Sequence, residues 1–295
     1  MDISCVIPTV RGDDHLARAV TSILAQTVDA ELEVIVVDDS GKPLSAAEWL
    51  QDPRVTVIKS NRVERCFARN AGASPASGEW LHFLDDDDYV LPGAYAALIE
   101  RARATGAGWT YGAYNCVDDD GRLIEMISPT LEGDVFVHAV VGIAIPMGAS
   151  LINRQVFLGV GGFDPDMIPG EDADLIQRIS RSSHFAVCPE VIASFRVGTQ
   201  GETTTAWSRS ALTGRLRREK QFMDSHSLPR ILEGLSRAKD GGVLRGRLAR
   251  FYGASAIRHV RSSPLTALSR ALVALRLAAI GVPNSRFIRG LRGGW

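Results

Sequence analysis

Two short runs of apolar and β-branched residues open the chain, ISCVI at 3–7 and LEVIVV at 32–37. Each is bounded by turn or acidic residues, as buried parallel strands are. Between them Leu16, Val20, Ile23 and Leu24 recur at helical spacing, with Asp13 and Asp14 as N-cap candidates. The pattern predicts a βαβ opening. It continues with a strand at 55–58, a helix at 64–74 and a strand at 80–84 that runs into four aspartates. Pro92 is expected to open the next helix and Gly106 to close it. This alternation predicts an open, mostly parallel α/β sheet flanked by helices. Residues 109–127 read as a hairpin turning at Asp120-Gly121. A strand at 148–153, a helix at about 172–182 and short strands near 184–188 and 191–196 follow. From Ser208 onward the periodicity is helical and strand signals stop. The predicted organisation is an α/β domain over 1–205 and a helical region over 206–295.

Charge sharpens that division. The 295 residues carry 33 Lys and Arg against 34 Asp and Glu, a formal net charge of −1. Residues 206–295 hold 18 basic and 4 acidic side chains, while 1–205 hold 15 and 30. The basic half either packs on the acidic half or meets a different partner. Hydrophobic residues at 45% and charged residues at 23% exclude disorder and fibrous classes. Cys5, Cys66, Cys116 and Cys188 form no Cys-x-x-Cys pair, so neither a zinc site nor a disulfide framework is expected. No secretory signal is visible at the N-terminus. The longest apolar segment, 265–280, is broken by Arg270 and Arg276 and is too short to span a bilayer. The expected location is the cytoplasm, or the inner face of the membrane.

In open α/β sheets, ligands sit beyond the carboxyl ends of the strands. Those ends carry Pro8-Thr9, Asp38-Asp39-Ser40 and Asp85-Asp86-Asp87-Asp88. Bare carboxylates would repel a phosphate, so a divalent cation bridging the two is expected. In an extended segment residues i and i+2 face one way, which would let Asp85 and Asp87 share a ligand while Asp86 turns aside. Neither a Gly-x-Gly-x-x-Gly nor a P-loop pattern is present to hold phosphate instead.

The chain resembles glycosyltransferase family 2. IPTV, VVDDS, ARNAGA at 68–73, GEWLHFLDDDDYVLPGAY at 78–95, INRQVFLGVGGFDPD at 152–166 and GEDADLIQRI at 170–179 follow one another in that family's order and spacing. The resemblance covers about 1–200. It implies a GT-A fold, a nucleotide-diphosphate sugar donor (a UDP-sugar above all), a divalent metal (Mn²⁺ or Mg²⁺) and inversion at the anomeric carbon. Position by position it implies that Pro8, Thr9, Asp38 and Asp39 meet the nucleotide, and that Arg69, Asn70 and Gly72 lie on the helix approaching it. Asp85, Asp86 and Asp87 match the D-x-D motif. There Asp87 and Asp85 would hold the metal, and Asp85 and Asp86, with Arg196, would meet the donor nucleotide. Glu171 and Asp172 match the catalytic acidic pair opening a helix beneath the acceptor, with Asp172 as general base. Arg196 matches the arginine after the last strand. Gly198 stands where the family often has a His, and Thr199–Thr205 would then form a lid.

Simpler readings accompany each motif. Asp85–Asp88 could be a solvated turn, and Glu171-Asp172 only a helix cap. His82, His184, Trp80, Trp109 and Phe163 fit packed core positions, and Asp118–Asp120 an exposed turn. A helix N-terminus beside Asp172 should lower its pKa and make it a weaker base. A catalytically idle nucleotide-sugar-binding or scaffold protein is the rival to an enzyme, and a nucleotidyltransferase is a weaker third. In the basic region, Leu265, Leu268, Leu272, Leu275 and Ala279 line one helical stripe. It fits peripheral contact with anionic lipid, packing on the first domain, or homo-oligomerisation. Nucleic acid is not an expected partner.

Overall fold

The computed structural model describes residues 2–44, 47–60, 64–168, 170–197, 228–280 and 285–292. The chain divides into two compact units, Met1–Gly133 with Ala144–Gly214 and Asp134–Ile143 with Arg215–Trp295. The boundary expected near 205 lies outside the described residues.

The first unit is built on a nine-stranded sheet. Strand β1 (Ile3–Thr9), helix α1 (Asp14–Leu24) and strand β2 (Leu32–Asp38) form the predicted βαβ opening. The Asp13 carboxylate caps α1 by accepting from the His15 N–H at 3.1 Å. Val34–Val37 are fully enclosed, as a parallel strand covered on both faces must be. Strand β3 (Val55–Lys59), helix α2 (Arg65–Ala73) and strand β4 (Trp80–Phe83) complete a parallel block in the order β3-β2-β1-β4. Helix α2 lies unusually close to it. A Cβ added to Gly72 would fall 2.3 Å from Val6 Cγ1, so only glycine lets the helix approach there.

Beyond β4 the sheet becomes mixed. Strand β5 (Tyr89–Val90) is short, and helix α3 (Ala94–Thr105) begins two residues after Pro92, behind Gly93 in a left-handed conformation. Strands β6 (Trp109–Val117) and β7 (Leu123–Ile127) form the predicted hairpin. Strand β8 (Ser150–Asn153) runs antiparallel to both β4 and β6. Short helix α5 (Arg154–Gly159) and helix α6 (Glu171–Ile179) lead to β9. The two strands expected near 184–188 and 191–196 are one, β9 (Phe185–Arg196), parallel to β6. Its register jumps from Gly112↔Cys188 to Ala113↔Val191, so Pro189 and Glu190 bulge out of the ladder. Proline has no N–H to give the ladder, and the bulge absorbs it.

The second unit is helical throughout its described residues. Helix α4 (Phe136–Val140), which falls between the two parts of the first unit, belongs to it. It packs with helices α7 (Leu228–Arg237), α8 (Gly241–His259), α9 (Pro264–Ala279) and α10 (Ser285–Arg292). Phe136, Val140, Ile231, Leu248, Tyr252 and Leu277 are among its core residues. Among the described residues no helix is long and apolar enough to cross a membrane.

Candidate functional site

Parallel pairing brings the C-terminal ends of β1, β2 and β4 to one edge. Thr9 lies in register with Asp38, and the Asp39 N–H donates to the Thr9 carbonyl at 2.9 Å. Pro8 stays inside the strand, opposite Val37. Asp38 is buried, and its carboxylate accepts from the Ser40 N–H at 2.9 Å, which fixes the turn out of β2. Asp39 is buried too, yet its Oδ1 has no partner among the described residues. A buried carboxylate oxygen left without a donor is costly, and a ligand N–H or hydroxyl would satisfy it.

The aspartate run is a turn, not an extended segment. Strand β4 ends at Phe83, and the Asp88 N–H donates to the Asp85 carbonyl at 3.1 Å. The alternating-face argument for Asp85 and Asp87 therefore fails, and each carboxylate finds its own partner. Asp85 accepts from Arg69 Nη2 at 2.8 Å. Asp86 is buried and accepts from the Thr9 hydroxyl at 2.6 Å. Asp87 accepts from Arg196 at 3.0 Å and from Arg11 at 3.3 Å. Asp88 accepts from the Arg196 N–H at 2.9 Å. Loss of hydration raises Asp86, and raises Asp88 well above the ordinary carboxylate range, where Asp85 and Asp87 add repulsion. Burial would raise Asp85 as well, but the Arg69 guanidinium outweighs it and holds that carboxyl low.

Arg69 is the hub. The side chain is buried, with its guanidinium over the Phe163 ring at 5.3 Å. While Nη2 serves Asp85 at the end of β4, Nη1 donates to Asp172 Oδ1 at 3.2 Å at the start of α6. One planar guanidinium thus ties together two acidic motifs 87 positions apart in sequence. Glu171 is turned inward. Its Oε2 accepts from the Gly170 N–H at 2.8 Å, and its Oε1 lies 3.2 Å from Arg65 and 3.9 Å from Arg69. It steadies the arginines and the helix start, and does not face outward as a catalytic partner to Asp172.

Asp172 departs from the helix-terminus expectation. Its pKa is raised, to about 6, not lowered. Withdrawal of hydration is the largest cause, and it outweighs the attraction of Arg69; Glu171 and Asp85 add repulsion. A helix dipole contributes only a fraction of a charge near its first turn and loses to that desolvation.

The resemblance puts Asn70 at the nucleotide, but both its amide atoms pair with one backbone residue. It accepts from the Phe163 N–H at 2.9 Å and donates to the Phe163 carbonyl at 2.7 Å. Gly162, at φ 68°, makes room for this pairing, since a Cβ there would lie 2.7 Å from Asn70 Oδ1. The Arg-Asn-x-Gly spacing on α2 thus supplies a carboxylate clamp, a backbone pin and a close approach to the sheet.

The packed positions are as predicted except at His184, which is exposed just before β9, outside the strand that was to bury it. His82 is buried among Tyr95, Cys5 and the Gly148 carbonyl, and burial lowers it to about 4, so it stays neutral. Trp80, Trp109, Tyr111 and Phe163 are core. The Asp118–Asp120 turn is exposed, although Asp119 accepts from Arg196 at 2.7 Å. Gly198 and Thr199–Thr205 lie outside the described residues. Sequence reasoning overlooked Arg11, Arg18 and Arg65. Arg18 donates to the Asp87 carbonyl at 3.3 Å and stands over the Tyr89 ring. The signal was present in the acidity of the strand ends, which needs counter-charge close by.

Among the described residues no group of three or more His, Cys, Asp or Glu is arranged to cage a metal. Mg²⁺ is ordinarily held by one or two carboxylates, with substrate phosphate and water completing its shell. Asp85 and Asp87, with side chains 53% and 23% exposed, fit that mode. Both offer the hard oxygen donors that Mg²⁺ and Mn²⁺ take.

A GT-A sheet with an acidic strand-end edge defines the class, and comparison with known proteins agrees. The model of "Glycosyl transferase family 2" matches residues 4–158, and the chain belongs to that family. It is 38% identical over 130 residues to the succinoglycan biosynthesis protein ExoO of Rhizobium meliloti (strain 1021), spanning 43% of this chain and 37% of ExoO. Over 133 residues it is 32% identical to the GalNAc(5)-diNAcBac-PP-undecaprenol beta-1,3-glucosyltransferase of Campylobacter jejuni, spanning 43% and 42%. The chain thus spans less than half the length of either relative. Among solved structures, S. aureus TarS 1–349 in complex with UDP-GlcNAc superposes with a TM-score of 0.61 at 14% identity, over 99% of this chain and 80% of that one. At that identity the likeness speaks to fold alone.

Proposed function

We propose that this chain is an inverting glycosyltransferase, moving a sugar from a UDP-sugar to a hydroxyl acceptor with Asp172 as general base. The observation that carries the reading is the placement of Asp172: its carboxylate, 42% exposed at the start of α6, is clamped through Arg69 to the aspartate turn, with its pKa raised to about 6. A base is most effective when its pKa lies near the working pH. Asp172 Oδ1 is taken by Arg69, which leaves Oδ2 to receive the acceptor's proton. The acceptor oxygen bonds to the anomeric carbon as the bond to the diphosphate oxygen breaks on the opposite face. The proton passes to Asp172, and the electron pair leaves with the nucleoside diphosphate.

The orphaned Asp39 Oδ1 supports a uracil N3–H or ribose hydroxyl at the end of β2. The UDP-GlcNAc complex of TarS, a structure of the same fold, favours uridine. Arg11 and Arg196, both on Asp87, supply positive charge beside the expected diphosphate. Asp87 and Asp85 would hold a divalent metal, which supplies Lewis-acid stabilisation of charge on the leaving diphosphate. Glu171 and Asn70 act by positioning Arg65, Arg69 and the Phe163 segment. The names of the two relatives, one in succinoglycan biosynthesis and one a glucosyltransferase, favour a saccharide hydroxyl as acceptor.

The test is nucleotide release over a panel of UDP-, dTDP- and GDP-sugars with Mn²⁺ or Mg²⁺. Turnover is expected with a UDP-sugar, abolished by EDTA and lowered by orders of magnitude in Asp87→Asn. Full activity in EDTA would overturn the metal assignment, and no turnover of any donor with intact UDP binding would favour an idle binding protein.

A further inference from the structure

Helix α9 is apolar on its outer side as well as its inner one, where Leu277 is buried. Its solvent side carries Leu265 at 83% exposure, Leu268 and Leu272 at 58% each, and Leu275 at 65%. Its inner side buries Arg270, which donates to the Ser255 hydroxyl at 2.5 Å and reaches the His259 ring at 2.9 Å. A surface helix ordinarily keeps its large apolar side chains inward. The predicted leucine stripe is therefore real, and no described residue of its own unit covers it. A groove of ≈ 360 Å³ runs along it, lined by Leu228, Leu268, Leu272, Val273 and Arg276 among others. Exposed Ile257 and Val260, at the end of α8, add to the apolar surface of this unit.

Its charge selects the occupant. Residues 228–292 carry 13 Arg and Lys against two acids, Glu233 and Asp240. A second copy of the unit would bring like charge against like, which opposes association. An anionic surface is attracted, and one that is also apolar beneath its charges matches both features. No described helix is long and apolar enough to span a bilayer, so α9 would lie along one.

We propose that the leucine face of α9 is a docking surface for an anionic lipid bilayer, with the leucines entering the acyl boundary and Arg276 and the neighbouring arginines meeting lipid phosphate. The inference does not rest on glycosyl transfer, and its readout needs no turnover.

The test is co-sedimentation of the full chain with vesicles of phosphatidylcholine alone or mixed with phosphatidylglycerol, at low and high salt. Binding is expected to the mixed vesicles at low salt, weakened by salt and much weaker on phosphatidylcholine alone. Leu268→Glu with Leu272→Glu should lower partitioning by at least about tenfold, with circular dichroism unchanged. Leu265→Ser with Leu275→Ser is a milder second pair should the first misfold. Three outcomes overturn the proposal. One is failure of the intact chain to sediment with mixed vesicles at low salt. Another is undiminished binding by a folded leucine variant. The third is a dimer in solution that the leucine variants split, which would assign the face to a second copy.

Discussion

The strand-end edge of the first unit and the outer face of α9 break the same rule in opposite senses. At the edge, charge is buried: Arg69, Glu171 and Asp86 are nearly inaccessible. On α9, large apolar side chains stand in water. The edge answers its violation internally, since each of these three charges has a partner of opposite sign or a hydroxyl within hydrogen-bond reach. The leucines of α9 have no such answer among the described residues of their unit. Buried charge with its own compensation is a device for holding groups in place, whereas uncompensated apolar surface points to something outside. Within the edge, too, compensation is uneven. Asp39 Oδ1 lacks a donor among the described residues and Asp172 is under-stabilised, and these are the two groups assigned to meet substrate.

The largest expected effect tests that unevenness. Asp172→Asn should lower transfer by roughly 10²–10⁴-fold, the usual contribution of a general base, while UDP affinity is retained. In the unaltered protein the rate should fall about tenfold per pH unit below about 6, as Asp172 takes up a proton, and the variant should lose that limb. The stability effect has the opposite sign. A carboxylate raised from 3.8 to about 6 on folding contributes stability that is complete below 3.8 and lost as pH rises through 6. At pH 8, Asp172→Asn should therefore melt no lower than the parent despite losing an ion pair. A collapse of UDP affinity with surviving turnover would mean the two acidic sites had been exchanged.

Arg69→Met asks the converse, removing the compensation and leaving the carboxylates. Breaking a buried pair from one side commonly costs about 3–5 kcal/mol. The low end, about 3 kcal/mol, is expected here. Asp85 and Asp172 reach solvent, and Glu171 keeps Arg65. Urea denaturation with an unchanged slope would measure it. Arg69→Lys should recover little, because a point charge does not reproduce a fork that serves two carboxylates. An undiminished midpoint in the Met variant would show that the hub is dispensable.

How much of this was legible in the sequence depended on the kind of signal. Strands β1 and β2 and helix α1 announce themselves because burial on both faces demands apolar runs and an amphipathic helix demands its period. The acidic strand ends were legible for the same reason, since nothing else explains charge at the end of a buried strand. What failed were inferences about direction. Asp85 and Asp87 were placed on one face by assuming extension, but the turn closed by Asp88 sets each separately. The helix start alone predicts a lowered pKa for Asp172, whereas loss of hydration, with Glu171 and Asp85 nearby, raises it. Helix α4 has no local mark assigning it to the second unit, because membership in a core is settled by tertiary packing.

Asn70 supplies the smallest and cleanest contrast, because its assignment to the nucleotide came from motif position and its commitment to Phe163 comes from geometry. Both amide atoms are spent on one backbone residue, at 2.9 Å and 2.7 Å. Asn70→Ala removes both partners and leaves the Phe163 N–H and carbonyl to find others, at a cost of about 1–3 kcal/mol. Phe163 packs edge-on against Phe83 with ring centroids 5.0 Å apart, and it underlies Arg69. Loosening its backbone should therefore blur the clamp on Asp172 more than it disturbs the end of β2. The expected result is a lowered urea midpoint and a modest fall in kcat, with the KM for the sugar nucleotide and the affinity for UDP little changed. A rise in KM with stability intact would return Asn70 to the nucleotide, and the reading of Asn70 as a backbone pin would fall with it.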